Sequence, residues 1–212
     1  MKQRLRHGKL ASRERRDEWG PVPVMPAGDA FERLLAGAAA GEGWAFTELY
    51  ERYAQRVKAF AASRRVADPD AVANDVMLRV FHNVATFKGD EAGLTSWTFT
   101  IARNRIIDER RAASRRPEIV PEGEVESAAA APEPARSAEE SALERMSHDR
   151  ALQLLDLLTE DQREVVALRM IADLSLEQVA TIVDKPITAV KALQRRGLQR
   201  LQREILAEEV SR

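Results

Sequence analysis

One 30-residue stretch, Leu174–Arg203 (LSLEQVATIVDKPITAVKALQRRGLQRLQR), limits the fold more than any other part of the chain. It reads as two helices around a tight turn. Ser175 and Gln178 stand at the spacing of a capping box, in which side chains and backbone N–H groups at a helix start satisfy one another. The helix so opened carries Leu176, Val179, Ala180 and Val183 on its inner face and runs to about Val183. Asp184-Lys185-Pro186 breaks it, because proline lacks an N–H and suits a first helical turn better than an interior. The second helix begins near Pro186, with Val190, Leu193, Gly197 and Leu201 at three- and four-residue spacing.

The opposite face of that second helix carries Thr188, Lys191, Gln194, Arg195, Gln199 and Arg203, with Arg196 beside them. A helix-turn-helix that lays its second helix in a DNA major groove has this layout. Lys and Arg address guanine O6 and N7, Gln addresses adenine, and all of them grip phosphate. A solvated basic face on an ordinary helical bundle has the same pattern, so the stretch alone leaves both readings open.

At 212 residues the chain has room for one or two domains. Its low aromatic content and abundant Ala, Leu and Arg favour helices, and an all-α fold is expected. With no cysteine, disulfides, thiolate zinc sites and a cysteine nucleophile are excluded. The histidines His7, His82 and His148 are too scattered for a metal cluster, and no phosphate-cradling glycine loop or nucleophile motif is present. The expectation is a chain that is not an enzyme and uses no cofactor, metal or small-molecule substrate. No apolar run reaches membrane-span length, and the basic N-terminus lacks the apolar core of a secretory signal, so a cytoplasmic protein is expected.

The net charge of −1 hides segregation. Residues 1–28 hold Lys2, Arg4, Arg6, Lys9, Arg13, Arg15 and Arg16 against three acids, then a Gly20-Pro21-Val22-Pro23 run. They read as a flexible basic arm, either a plain tail or a nucleic-acid or partner-binding arm. Residues 117–146 hold eight glutamates against two arginines, four consecutive alanines and several prolines. That composition cannot build a core and reads as an acidic linker.

Between arm and linker, residues 29–116 read as a helical domain. Asp29 opens a short helix to Ala40. A longer one runs from Trp44 to Arg65, with Phe46, Leu49, Tyr50, Tyr53, Val57, Phe60 and Ala61 as its stripe. Asp68-Pro69 starts a third, extending to Phe87. A loop over Lys88–Gly93 precedes a fourth from Thr95, containing Trp97, Phe99, Ile101, Ala102, Ile106 and Ile107, with Thr98 among its polar positions. Asp70, Asn74, Asp75 and Arg79 share one face of the third helix, which is either solvated or partner-binding. Trp97 and Phe87 read as core residues and His82 as a surface residue. A second domain, 147–207, adds a leucine-rich helix (Leu152, Leu154, Leu155, Leu158). It also adds a helix opened by a Thr159/Gln162 capping box, with Val165, Val166, Leu168 and Met170 as its apolar positions.

Ser96-Trp97-Thr98-Phe99-Thr100-Ile101-Ala102-Arg103-Asn104, followed by Asp108 and Arg110-Arg111, resembles the promoter-melting helices of bacterial sigma factors, specifically the extracytoplasmic-function branch of the sigma-70 family. Met77-Leu78-Arg79-Val80-Phe81, the Phe87–Asp90 loop, Leu158-Thr159 with Gln162–Arg169, and Pro186–Lys191 fit the same pattern. The resemblance covers about 31–116 and 147–205. Departures are Ala71 and Asn74 where the family has an acid and Gln, and Ala189, Ala192 and Leu193 in the recognition helix.

The resemblance implies a factor that binds core RNA polymerase (β and β′ subunits) and promoter DNA. The C-terminal domain would read the −35 element through Thr188, Lys191, Gln194, Arg195 and Arg196. The N-terminal domain would melt the −10 element, with Lys88–Leu94 as the pocket for an extruded base and Lys88, Asp90, Arg103, Asn104, Arg105, Arg110, Arg111 and Arg115 as contacts. Asp70, Asn74, Asp75 and Arg79 would meet the polymerase. The linker would thread the polymerase's RNA path, and an anti-sigma factor is an expected partner. A one-component helix-turn-helix regulator and an all-helical interaction protein are the competing readings. The basic helix beside a loop favours the first, since a ligand sensor does not need it.

Overall fold

The structure, a computed structural model, describes residues 27–115 and 149–210. The basic arm and the acidic linker therefore lie outside the described residues. Every regular element among those described is helical. They are α1 (Ala27–Ala39), α2 (Gly43–Ser63), α3 (Pro69–Asn83), a 3₁₀ turn (Val84–Thr86), α4 (Glu91–Arg115), α5 (149–156), α6 (Glu160–Met170), α7 (Leu176–Val183) and α8 (Ile187–Val210).

In the N-terminal module α1–α4 wrap two buried clusters, Phe31, Leu34, Leu49, Tyr53, Met77 and Leu94 in one and Val57, Phe60, Val72, Val76, Phe99 and Ile106 in the other, with the partly buried Phe81 and Trp97 packed against both. Phe60 and Phe99 meet edge to face, with centroids 5.6 Å apart. Asp68 caps α3 by accepting from Ala71 N at 2.9 Å, with Pro69 in the first turn.

Three boundaries differ from expectation. α1 begins at Ala27, so Asp29 lies inside the helix. α3 stops at Asn83 instead of Phe87, where side chains take over the terminal carbonyls. Asn83 Nδ2 donates to Arg79 O and Thr86 Oγ1 to Asn83 O, both at 2.8 Å. α4 begins at Glu91, one turn early, because Asp90 is its N-cap and accepts from Gly93 N at 2.8 Å. The expected pocket loop is thereby reduced to Lys88, Gly89 and Asp90. Thr98, expected at a polar position, is fully buried, and its hydroxyl finds no partner among the described residues.

In the C-terminal module both capping boxes form, Thr159 with Gln162 and Ser175 with Gln178. Asp184 ends α7 in the left-handed region (φ 54°), a conformation that Asp tolerates better than most residues. α8 crosses α6 at Gly197, where a Cβ would stand 2.9 Å from Val166 Cγ2. Met170, expected among the apolar positions of α6, is 68% exposed.

The two modules do not stand apart. α2 packs on α6 and α4 on α7, so one buried apolar cluster runs from Phe60 and Phe99 through Leu168 and Leu174 to Val190. Arg56 lies near the rings of Tyr53 and Phe99 and donates to Ile171 O at 3.1 Å and Ala172 O at 2.6 Å. Gln178 Nε2 donates to Ala92 O at 2.9 Å.

Candidate nucleic-acid interface

The outer face of α8 is built by the turn before it. The left-handed Asp184 reverses the chain, and Val190 (fully buried) turns one side of α8 into the module. Three- and four-residue steps then leave Thr188, Lys191 and Arg195 exposed, with Gln194 half-buried beside them. Lys191, Gln194, Arg195, Leu198, Gln199 and Gln202 line a shallow groove along the helix. Arg196 sits on the adjoining flank and donates to Ala192 O at 3.3 Å. Four of the five expected duplex-reading residues thus share one stripe of donors with no carboxylate in it. Such a stripe suits phosphates and base edges.

The strand candidates on α4 do not share a surface, because neighbouring residues of a helix point about 100° apart. Arg103 and Arg110, seven apart, face the C-terminal module. Arg103 Nε meets Glu164 Oε1 at 3.1 Å. Arg110 pairs closely with Glu160 and donates to Arg64 O at 2.5 Å. Burial, followed by the neighbouring Arg64 charge, holds Arg110 below the usual arginine pKa. Arg105 lies on the side facing α3, paired with Asp75 at 2.6 Å and Glu109 at 3.0 Å, apart from the other strand candidates. Asn104 and Arg111 lie on an exposed flank with Asp108; the side chain of Arg115 lies outside the described residues.

Lys88 is exposed at the turn. Gly89 permits that turn with φ 155°, and Phe87 stacks on Trp97 at 5.5 Å, both rings half-buried. The Asp90 carboxylate faces its own helix start as a cap rather than outward.

On α3, Asp70 pairs with Lys58 at 2.8 Å, Asn74 Oδ1 accepts from Tyr50 OH at 3.0 Å, and Asp75 holds Arg79 at 3.2 Å as well as Arg105. Tyr50 (44% exposed) and Leu78 (55% exposed) lie beside them. The result is a mixed polar and apolar surface, the composition of a protein-binding patch.

Sequence reasoning missed the residues that join the modules: Arg56, Arg64, Arg65, Asp156, Glu160 and Glu164. Arg64 and Glu164 were detectable in principle as charges inside apolar stretches, since a charge buried in a helix needs a partner elsewhere.

Residues 49–116 match the family Sigma-70 region 2, and residues 154–203 match Sigma-70, region 4. The chain is 31% identical over 191 residues to the ECF RNA polymerase sigma factor SigD of Mycobacterium tuberculosis, covering 85% of this chain and 86% of that protein. It is 32% identical over 172 residues to the ECF RNA polymerase sigma factor BldN of Streptomyces coelicolor, covering 80% of this chain and 64% of BldN. Among solved structures, CnrH in complex with the cytosolic domain of CnrY superimposes over 84% of this chain and 99% of that one (TM-score 0.58, 23% identity). The sigma factor RpoE from Bartonella quintana, in complex with the anti-sigma factor NepR, does so over 74% and 94% (TM-score 0.52, 23% identity), and both likenesses attest the fold. With regions 2 and 4 both matched in order, and with relatives of this identity and extent, the chain belongs to the ECF branch of the sigma-70 family of RNA polymerase sigma factors.

Proposed function

We propose that this chain binds core RNA polymerase in the cytoplasm and directs it to promoters. It contributes recognition and strand opening and performs no covalent chemistry itself. In this reading the module 147–207 reads the −35 duplex through Thr188, Lys191, Gln194, Arg195 and Arg196. The module 29–116 holds the opened −10 strand through Lys88, Arg103, Asn104, Arg110 and Arg111. The surface of Asp70, Asn74, Asp75 and Arg79, with Arg105 bound to Asp75, meets the β′ side of the polymerase. Residues 117–146 tether the two modules, and an anti-sigma factor holds the chain in reserve.

The observation that carries the reading is the carboxylate-free donor stripe of α8 on a capped helix-turn-helix, in the same chain as a basic α4. Promoter-dependent transcription with purified core polymerase tests it. Lys191→Ala is expected to weaken −35 binding and flatten its salt dependence by about one phosphate contact while the helical signal is unchanged. Unaltered promoter affinity in that variant removes the assignment of the reading face, and failure to associate with core polymerase removes the function.

A further inference from the structure

The part of α8 that enters the groove in a helix-turn-helix offers a base only a narrow set of groups. From Ile187 to Arg203 the helix holds no Asp or Glu. The carboxylates that accept from the N4 amine of cytosine are therefore absent. What remains are Lys and Arg donors, glutamine amides, and the methyl groups of threonine and alanine.

Position around the helix sorts these groups. Val190 and Gly197 are buried against the module. At about 100° per residue, Thr188, Ala192 and Arg195 point within about 30° of directly away from that buried line. Lys191 and Arg196 lie about 70° to either side of it. Thr188 is exposed and Ala192 half-buried. Arg196 donates to Ala192 O at 3.3 Å, which keeps its guanidinium along its own flank. The outermost line of the first two turns is thus made by two small side chains between longer cations. Thr188 and Ala192 are four residues apart, about 6 Å along the axis. Carbon atoms touch at about 3.5–4.0 Å, so one methyl group from a partner fits against both.

Of the four bases only thymine presents a methyl group in the major groove. We propose that Thr188 and Ala192 form a methyl-binding notch that selects thymine at one position of the −35 element, beside a guanine addressed from the Lys191 and Arg195 flank. This rests on the reading of α8 as the helix that enters the −35 duplex. It makes Ala192, which donates no side-chain hydrogen bond, a specificity-determining residue. Cytosine at the same position finds neither a partner for its N4 amine nor a use for the notch.

Altered bases test the notch group by group. The full chain bound to core polymerase selects its best −35 sequence from a randomised duplex pool, and that duplex is the probe. Each thymine in it is replaced in turn by deoxyuridine, which pairs with adenine but lacks the 5-methyl group. One thymine is expected to respond with a loss of about fourfold in affinity, the equivalent of one buried methyl group at about 0.8 kcal/mol. Thr188→Ser removes only a side-chain methyl and keeps the hydroxyl. In that variant, and in Ala192→Gly checked for helicity by circular dichroism, the same replacement should cost less than about twofold. At that position the wild-type chain should also prefer 5-methylcytosine paired with guanine over cytosine paired with guanine.

A selected sequence without thymine overturns the notch. So does tolerance of deoxyuridine at every thymine, and so does a sensitive thymine whose loss is equal in the wild-type chain, Thr188→Ser and Ala192→Gly. Lys191→Ala separates this from the wider reading. If it weakens binding while every thymine tolerates deoxyuridine, α8 still reads the −35 element and only the notch is removed. If neither Lys191→Ala nor scrambling the selected −35 sequence alters affinity, the reading of α8 falls and the notch with it.

Discussion

Replacing Arg163 tests how the turn before α6 is held. Arg163 is 4% exposed, and its guanidinium donates to Leu155 O at 2.9 Å, Asp156 O at 3.1 Å and Leu158 O at 3.2 Å. Those carbonyls lie at and just past the end of α5, where intrahelical donors run out, although Leu155 O also accepts from Leu158 N at 3.1 Å. Methionine keeps most of the buried stem and removes every donor. Hydrogen bonds to a charged group contribute about 1.5–3 kcal/mol each. The three do not count alike. Asp156 is exposed, so water replaces its donor. Leu155 is half-buried and its carbonyl keeps the Leu158 N–H at 3.1 Å, whereas the carbonyl of the buried Leu158 loses a partner that solvent restores poorly.

Arg163→Met is therefore expected to cost the C-terminal module about 1.5–3 kcal/mol, the range for one such bond. Arg163→Lys keeps one donor direction but not the planar fork, and should cost about half as much. In a module of this size each kcal/mol moves Tm by roughly 4–8 °C. Thermal melting of the full chain, followed by far-ultraviolet circular dichroism, reads the loss. Trp44 and Trp97 lie in the N-terminal module and no tryptophan follows residue 116, so fluorescence should report a later transition than dichroism. A loss below about 1 kcal/mol, within the range of an ordinary surface substitution, or equal losses for Met and Lys, would refute the argument.

Asp90→Ala should cost about 0.5–2 kcal/mol as a lost helix cap and speed hydrogen exchange at Gly93, with Asp90→Asn restoring most of it. An unchanged Gly93 amide would mean that α4 does not need the cap. Gly197→Val should cost about 1–3 kcal/mol by overpacking against the fully buried Val166, and should weaken −35 binding by displacing α8; urea denaturation and promoter binding measure the two effects. The carboxyl of Glu177 is held below its usual range by its own backbone N–H and by Ser175. Its folded-state pKa is lowered, so its contribution is present above the unfolded-state value and disappears as pH falls through the folded one. The melting difference between the wild-type chain and Glu177→Gln should accordingly shrink on acidification, and a difference independent of pH would contradict this.

Local order was legible because its causes are local. The capping boxes at Thr159 and Ser175, the Pro69 and Pro186 helix starts, and the alternation that buries Val179, Val183 and Val190 are each decided within a few residues. The same reasoning failed at Asp90, where a single carboxylate serves equally as a loop residue or a cap and only the backbone geometry chooses. It also grouped residues that the fold separates: Arg103, Arg105 and Arg110 are all basic residues of one helix, yet the rotation per residue sends Arg105 to Asp75 and the other two to Glu164 and Glu160.

By itself, then, the sequence determined the helices, their caps and breaks, and the donor stripe on α8, because backbone hydrogen bonding and side-chain periodicity are short-range. Only the tertiary structure decided that the modules close on each other. That outcome depends on Arg64 and Glu164, 100 residues apart in the chain, losing their water together, and a buried charge is tolerable only when its distant partner is in place.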